Sequence, residues 1–182
     1  DLVAGNLGQN MDMRVDQLHP ATLYIGDFDG NHRQEVIISY FQFSDQWNRR
    51  DFPSAERDAI IDMIPSWKKK FFDYRTYAYA EIADLFDAKP QIEKKAYCQL
   101  SACFINQGQT FAMEPLPHQA QFSVITDMLI DDFNGDDILD ILSIGNNYET
   151  KVEMGNFDAS LGLLMLGNRK ANFQAIRSDE SQ

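Results

Sequence analysis

Two short stretches of this chain carry oxygen-bearing side chains at the same intervals. Asp27, Asp29, Asn31 and Glu35 hold positions 1, 3, 5 and 9 of one nine-residue loop, and Asp132, Asn134, Asp136 and Asp140 hold the same positions of another. Gly30 and Gly135 stand at position 4 of each, where a sharp turn needs a residue free of a side chain. A hard cation such as Ca²⁺ takes roughly six to eight oxygens at 2.3–2.6 Å, and alternate residues of a tightly turning loop point inward around one centre. The spacing therefore predicts two calcium loops, with the main-chain carbonyls of Arg33 and Ile138 at position 7 as further ligands. Magnesium fits less well because it demands stricter octahedral geometry and keeps its waters, and suitable zinc ligands are missing.

An Asp-x-Asp-Gly-Asn stretch on its own is an ordinary turn, since turns favour Asp, Asn and Gly. Two gapless copies, each with an acid at position 9 where a turn requires none, argue for a cation. An EF-hand is excluded: it needs Glu at position 12 between two helices, whereas position 12 here is Ile38 or Ser143 and apolar strand-like runs flank both loops.

Catalytic constellations are weak by comparison. Asp131 and Asp132 are adjacent, so on a strand they face opposite ways and cannot work as a facing acid pair. His19, His32 and His118 fall in three separate loops without His-Glu-x-x-His spacing, and no Gly-x-Ser-x-Gly elbow occurs. Ser66-Trp-Lys-Lys69 matches Ser-x-x-Lys, but its companion motifs are missing and helix capping by Ser66 explains it better.

The elements that must position the loops follow from patterning. Thr22–Tyr40 aligns without a gap with Asp127–Gly145, each reading as apolar strand, loop, apolar strand. Two hairpins are expected after them, one over Ala102–Pro117 turning at Asn106 and Gly108, the other from Leu163 to Ile176. The middle differs: residues 51–97 hold nine acids and eight bases, a net −1, so the flanks carry −11 of the chain's −12. There Ser54 is expected to cap a helix bearing Ile60, Ile61 and Ile64, and Pro65 to stop it. Ser66 and Thr76 then start helices bearing Trp67, Phe71 and Tyr74, and Tyr79, Ile82 and Phe86. These aromatics are read as a packing face, and Lys68–Lys70 as a solvated one. The expected organisation is one segment, 1–182, with β portions at 1–44 and 98–182 and a helical insertion at 45–97.

Strand, cation loop, strand and hairpin make a four-stranded unit like one blade of a β-propeller. These residues resemble the FG-GAP/VCBS repeats, the calcium-bearing blades of integrin α chains and of many exported bacterial proteins. Asp27-Phe-Asp-Gly-Asn31 carries that resemblance. The opening Asp1-Leu-Val-Ala-Gly-Asn-Leu-Gly-Gln-Asn10 looks like the strand and loop closing a preceding unit, much as Asp140–Asn146 closes the second loop. The helical stretch around Pro65–Lys70 and the segment Leu116–Gln121 look similar to insertions in the ASPIC/UnbV-allied group. The resemblance implies a mainly β fold, a partial propeller of four-stranded blades with a helical insertion, calcium at the positions already derived, and no catalysis. His32, Glu35 and Asn134 depart from the usual loop residues, Glu35 and Asn134 while keeping an oxygen.

Length and charge bound the rest. At 182 residues, 20.9 kDa and 44% hydrophobic, the chain is ample for a core, and a mean hydropathy of −0.39 with no long apolar run excludes a membrane-spanning helix. A net charge of −12 and a pI near 4.5 repel phosphate backbones, so nucleic acid is not an expected partner. Cys98 and Cys103, five residues apart on one extended strand, would lie too far apart to bridge. The chain begins at Asp1 without an initiator Met or signal pattern and is expected to be a fragment or mature segment; the lack of any Asn-x-Ser/Thr sequon hints at a source that does not glycosylate its exports. The expected function is a non-catalytic, calcium-stabilised scaffold or binding module for protein or glycan. It would be exported to the extracellular space, cell surface or periplasm, and would pair its open edges with the rest of a longer propeller or with itself. The alternative is part of a secreted polysaccharide hydrolase or lyase built on a propeller, in which Asp131 or Glu149 would face a cleft.

Overall fold

Apolar alternation on either side of the first oxygen-rich loop makes a hairpin. The computed structural model describes residues 1–44, 46–86, 89–150, 156–168 and 172–176, and in it β2 (Ala21–Gly26) pairs antiparallel with β3 (Glu35–Phe43) from Thr22↔Ser39 to Gly26↔Glu35. β1 (Leu2–Ala4) belongs to another sheet. β4 (Arg49–Pro53) adds to β3 and β5 (Ile92–Ala96) to β2, giving the order β4-β3-β2-β5. This sheet and its helices form one compact unit, Asp12–Cys98.

Alternation along β3 decides which face is covered. Ile37 points into a cluster with Ile60, Ile64, Trp67, Phe71, Tyr77 and Leu85, all buried, and Tyr24, Phe28 and Phe86 pack against it. Phe28 and Phe86 stack with ring centroids 4.6 Å apart. Val36 and Ile38, on the opposite face, stay exposed across from Ile25 and Leu23.

The stretch read as a helical insertion opens and closes in strands, β4 and β5, with the helices between them. Their starts differ from expectation. α1 (Arg57–Met63) begins after Glu56 and not at Ser54. Pro65 both follows its end and opens a 3-10 helix, Pro65–Lys69, so Ser66 is not the start. Proline suits a first helical position because the N–H it lacks would be unpaired there anyway. α2 (Tyr74–Ala78) is capped by Asp73, whose side chain accepts the Thr76 N–H at 2.7 Å, so Thr76 lies inside the helix it was expected to cap. α3 (Ile82–Leu85) opens with Glu81 and Asp84 capping one another's backbone. Starting one helix three residues earlier rotates the face: Tyr77 is buried where Tyr74 was expected, and Tyr74 and Tyr79 are exposed.

The second unit is Asp1–Met11 with Gln99–Gln182. In it β8 (Asp127–Asp131), β9 (Asp140–Ile144), β10 (Leu163–Gly167) and β11 (Phe173–Ala175) form an antiparallel meander in sequence order, with the second oxygen-rich loop between β8 and β9. Residues 169–171, the expected turn of the second hairpin, and 177–182 lie outside the described residues. The hairpin β6 (Ala102–Asn106) and β7 (Phe111–Pro115) does not join the strands of the first loop, as the four-stranded reading required. It pairs with β1 in a three-stranded sheet.

The register explains the difference. Leu2 of β1 stands opposite Phe104, the third residue of β6, just as Ile141 of β9 stands opposite Met165, the third residue of β10. β1 is thus to β6–β7 what β9 is to β10–β11, while the first loop's hairpin takes β4 and β5 instead. Leu116, Ala120, Ile141 and Met165 form this unit's buried core, joined by Val3, Ile125, Met128 and Phe173. The Gln121 side chain is buried in the 3-10 helix His118–Gln121, where its amide donates to the Ser101 and Leu116 carbonyls and accepts the Ser101 N–H. Cys103 is buried in β6 and Cys98 lies beyond the end of β5, so the two do not share one strand. The chain is mainly β, with open antiparallel sheets, and among the described residues no helix is long and apolar enough to cross a membrane.

Candidate metal centres

Both loops are held by their own first aspartate. Asp27 Oδ1 accepts the N–H groups of Gly30 at 2.7 Å and Asn31 at 3.0 Å, and its Oδ2 accepts that of His32 at 2.9 Å. Asp132 does the same for Gly135 at 2.7 Å, Asp136 at 3.2 Å and Asp137 at 2.9 Å. Position 3 accepts from position 5 in both loops, Asp29 from Asn31 and Asn134 from Asp136; position 5 accepts from position 7, Asn31 from Arg33 and Asp136 from Ile138. The acid at position 9 closes each ring by accepting the N–H of position 2, Glu35 from Phe28 at 2.9 Å and Asp140 from Phe133 at 3.0 Å.

The backbone follows the same course. Gly30 and Gly135 have φ of 77° and 79°, and position 6 is left-handed too, at 65° for His32 and 62° for Asp137. A glycine at position 4 is thereby accounted for. His32 carries its imidazole almost wholly into solvent.

Electrostatics keep the lead carboxylates charged. Desolvation works to raise the Asp27 pKa, but the N–H groups of His32, Gly30 and Asn31 outweigh it and hold the carboxyl below its ordinary value. The Asp137 N–H chiefly does this for Asp132, against desolvation and aided by Gly135 and Asp136. Each loop therefore holds negative charge in place at neutral pH, which a cation relieves.

Convergence separates the two. Asp27, Asp29 and Glu35 each offer an oxygen, all within 4.8 Å of one another. Two oxygens on one Ca²⁺ can be at most about 5 Å apart, twice the metal–oxygen distance, so these three fit one ion. Among the described residues this is the one such group of three acids. In the second loop Asp140 is fully buried and its other oxygen accepts the Gly167 N–H at 2.8 Å, tying it to β10. Glutamate is longer by one methylene, so Glu35 reaches the loop centre while its partner residue is committed to the strands. Asp1 mirrors that tie, accepting the Asn106 N–H of β6 at 2.7 Å. Arg33 and Ile138 stand at position 7 with their N–H groups in the ring.

The residues weighed for catalysis are dispersed. Asp131 is exposed and accepts its neighbour Asp132's N–H; Glu149 is exposed as well. His19 Nδ1 lies 3.0 Å from Asp16, which it holds at a pKa of about 2, and packs edge-on against Phe41. His118 packs edge-on against Phe122. In the Lys68–Lys70 cluster the first two are exposed, and Lys70 reaches the Leu85 carbonyl at 3.2 Å.

Sequence reasoning passed over Trp47. It sits in the β3–β4 turn, 84% exposed, at a φ of 60°. An aromatic inside the turn-forming run Ser44-Asp-Gln-Trp-Asn48 was the available signal. The chain matches no family model, no curated protein and no solved structure.

Proposed function

We propose that this chain is a calcium-stabilised, non-catalytic segment of a β-propeller of the FG-GAP/VCBS type, exported from the cell and serving as a binding module. The observation that carries the reading is the repeated ring of hydrogen bonds in two loops, each closed by an acid at position 9 that an ordinary turn does not need. The meander β8–β11, with its loop between the first two strands, supports the blade assignment, and the equivalence of β1 with β9 supports a second, related sheet. The exposed apolar faces support it too: Leu129, Leu142 and Ile144 on one sheet, and Val36, Ile38 and Ile92 on another, suit burial against neighbouring blades.

Asp27, Asp29, Asn31 and Glu35, with the Arg33 carbonyl, would hold one ion; Asp132, Asn134 and Asp136, with the Ile138 carbonyl, would hold the other, which Asp140 would join only by giving up the Phe133 or Gly167 N–H. The ion supplies positive charge that replaces carboxylate repulsion with coordination and so fixes the loops between strands. Two divalent ions would take the net charge from −12 to −8. Extracellular-type calcium sites bind at about 10⁻⁴–10⁻³ M, so they fill outside a cell and stay empty in cytosol, which favours export. Calorimetric titration with calcium tests this. Two ions are expected for the wild type and one fewer in Asp29→Ala or Asp136→Ala; no heat at millimolar calcium refutes the assignment.

A further inference from the structure

Asn134 is followed by a glycine, and no other asparagine of the chain is. In that pair an asparagine side chain reacts most readily with its own backbone, because glycine brings no side chain to block the approach of its main-chain nitrogen. Both residues are exposed, and a Cβ on Gly135 would meet nothing within 4 Å.

The reaction is a cyclisation. The Gly135 nitrogen gives up its proton and attacks Asn134 Cγ. The new C–N bond closes a five-membered succinimide, the Cγ–Nδ2 bond breaks, and the amide nitrogen leaves with that proton as ammonia. Water then opens the ring at either carbonyl. One opening leaves aspartate; the other leaves isoaspartate, in which the chain runs through the side-chain carbons and is one backbone atom longer.

The folded loop restrains each participant. The Gly135 N–H donates to Asp132 Oδ1 at 2.7 Å, so the attacking nitrogen is engaged. Asn134 Oδ1 accepts the Asp136 N–H at 2.9 Å and its Nδ2 donates to Asp136 Oδ2 at 3.1 Å, so the amide is fixed at both ends. Cyclisation has to break these bonds first, and its rate is therefore set by how often the loop opens. Asp29 and Gly30 hold the same positions in the first loop, with the Gly30 N–H on Asp27 Oδ1 at 2.7 Å and the Asn31 N–H on Asp29 Oδ1 at 3.1 Å. An ionised carboxylate is a poor electrophile at neutral pH, so that loop serves as an internal reference.

We propose that Asn134–Gly135 is a deamidation site, and that the hydrogen bonds centred on Asp132 hold the reaction back while the second loop is ordered. The aspartate product gives this loop the carboxylate that Asp29 supplies at position 3 of the first, and adds one negative charge. The isoaspartate product moves the N–H groups of Gly135, Asp136 and Asp137 out of register with the Asp132 oxygens, which accept them at 2.7, 3.2 and 2.9 Å, and so undoes the loop. The proposal stands whether or not a cation fills the loop.

Incubation of the full chain at neutral pH, followed by peptide mass spectrometry and isoaspartyl methyltransferase labelling, tests it. Wild type in chelator, in millimolar calcium and in urea is compared with Asp132→Ala, and Asn134→Asp marks the product. Conversion is expected at Asn134 ahead of every other asparagine, at least about tenfold slower in the folded chain than in urea, with Asp132→Ala restoring most of the urea rate. The comparison of folded wild type with urea needs no variant, so the test survives if Asp132→Ala fails to fold. Equal rates in the folded chain and in urea overturn the proposal, as does urea-phase conversion at another asparagine first. If calcium leaves the folded rate unchanged while Asp132→Ala accelerates it, the metal reading falls and the deamidation site stands. Equal folded and urea rates in a chain that calcium stabilises do the reverse.

Discussion

At the scale of single residues, the loops derive their shape from carboxylates that accept main-chain N–H groups, and this sets their response to acid. Asp27 and Asp132 are both held below the ordinary carboxylate pKa in the folded chain. Their share of stability is therefore fully present above about pH 4 and is lost as pH falls through the lower folded-state values. The calcium-dependent rise in thermal midpoint is expected to persist from pH 7 down to about pH 4 and to fade only below that, as pH passes the lowered folded-state values; a rise already lost by pH 5 would show that other groups hold the ion. Glu35→Asp is expected to weaken calcium binding at the first loop by shortening the reach to Asp27 and Asp29, read by calorimetry. The loops and the oxygens at positions 1, 3, 5 and 9 that hold their backbone were legible because oxygen spacing and a glycine are written in residue types. Trp47 was not, because a left-handed backbone at a tryptophan contradicts the preferences by which turns are recognised.

At the scale of elements, Trp67 and Asp73 carry the helices between β4 and β5. Trp67, buried beside Phe71, Phe28 and Phe86, is expected to cost about 3–5 kcal/mol on replacement by Ala, and Asp73→Ala to destabilise by less through the lost Thr76 cap, both read from denaturant unfolding. Costs below 1 kcal/mol at Trp67 would remove it from the core. Period alone placed Trp67, Phe71, Ile82 and Phe86 on the packing face, but it included the exposed Tyr74 and Tyr79 and missed the buried Tyr77, and the caps were not visible either. Ser54 and Thr76 are good capping types that lost to Glu56 and Asp73, because Asp73 comes three residues before Thr76 and receives its N–H. The hairpin Ala102–Pro117 was likewise recognised as a hairpin and given the wrong partner. Alternation defines a strand's faces but says nothing about which distant strand takes its edge, and β1 was too short to advertise itself.

At the scale of the whole molecule, open sheets leave apolar side chains where a closed structure would cover them. Leu129, Leu142 and Ile144 stand together on β8 and β9, with Leu129 directly opposite Leu142. Such a face drives association in water. Sedimentation is expected to show concentration-dependent self-association of this segment that Leu129→Lys with Ile144→Lys suppresses; a monomer at all concentrations would mean that the face needs no cover. The strand-rich architecture was readable from turn residues and β-favouring runs. The partition into units Asp12–Cys98 and the remainder was not, because it depends on β1 pairing across the intervening residues.

The claim on which the whole reading turns is that the two loops are metal sites. Thermal unfolding in chelator and then in millimolar calcium, with Asp29→Ala and Asp136→Ala alongside, tests it most directly. At ten times Kd one site adds about 1.4 kcal/mol, a rise of roughly 3–6 °C for a chain of this size. Calcium is expected to raise the wild-type midpoint by that much or more, with each variant losing part of the rise. An identical midpoint with and without calcium would contradict the account and return both loops to plain turns.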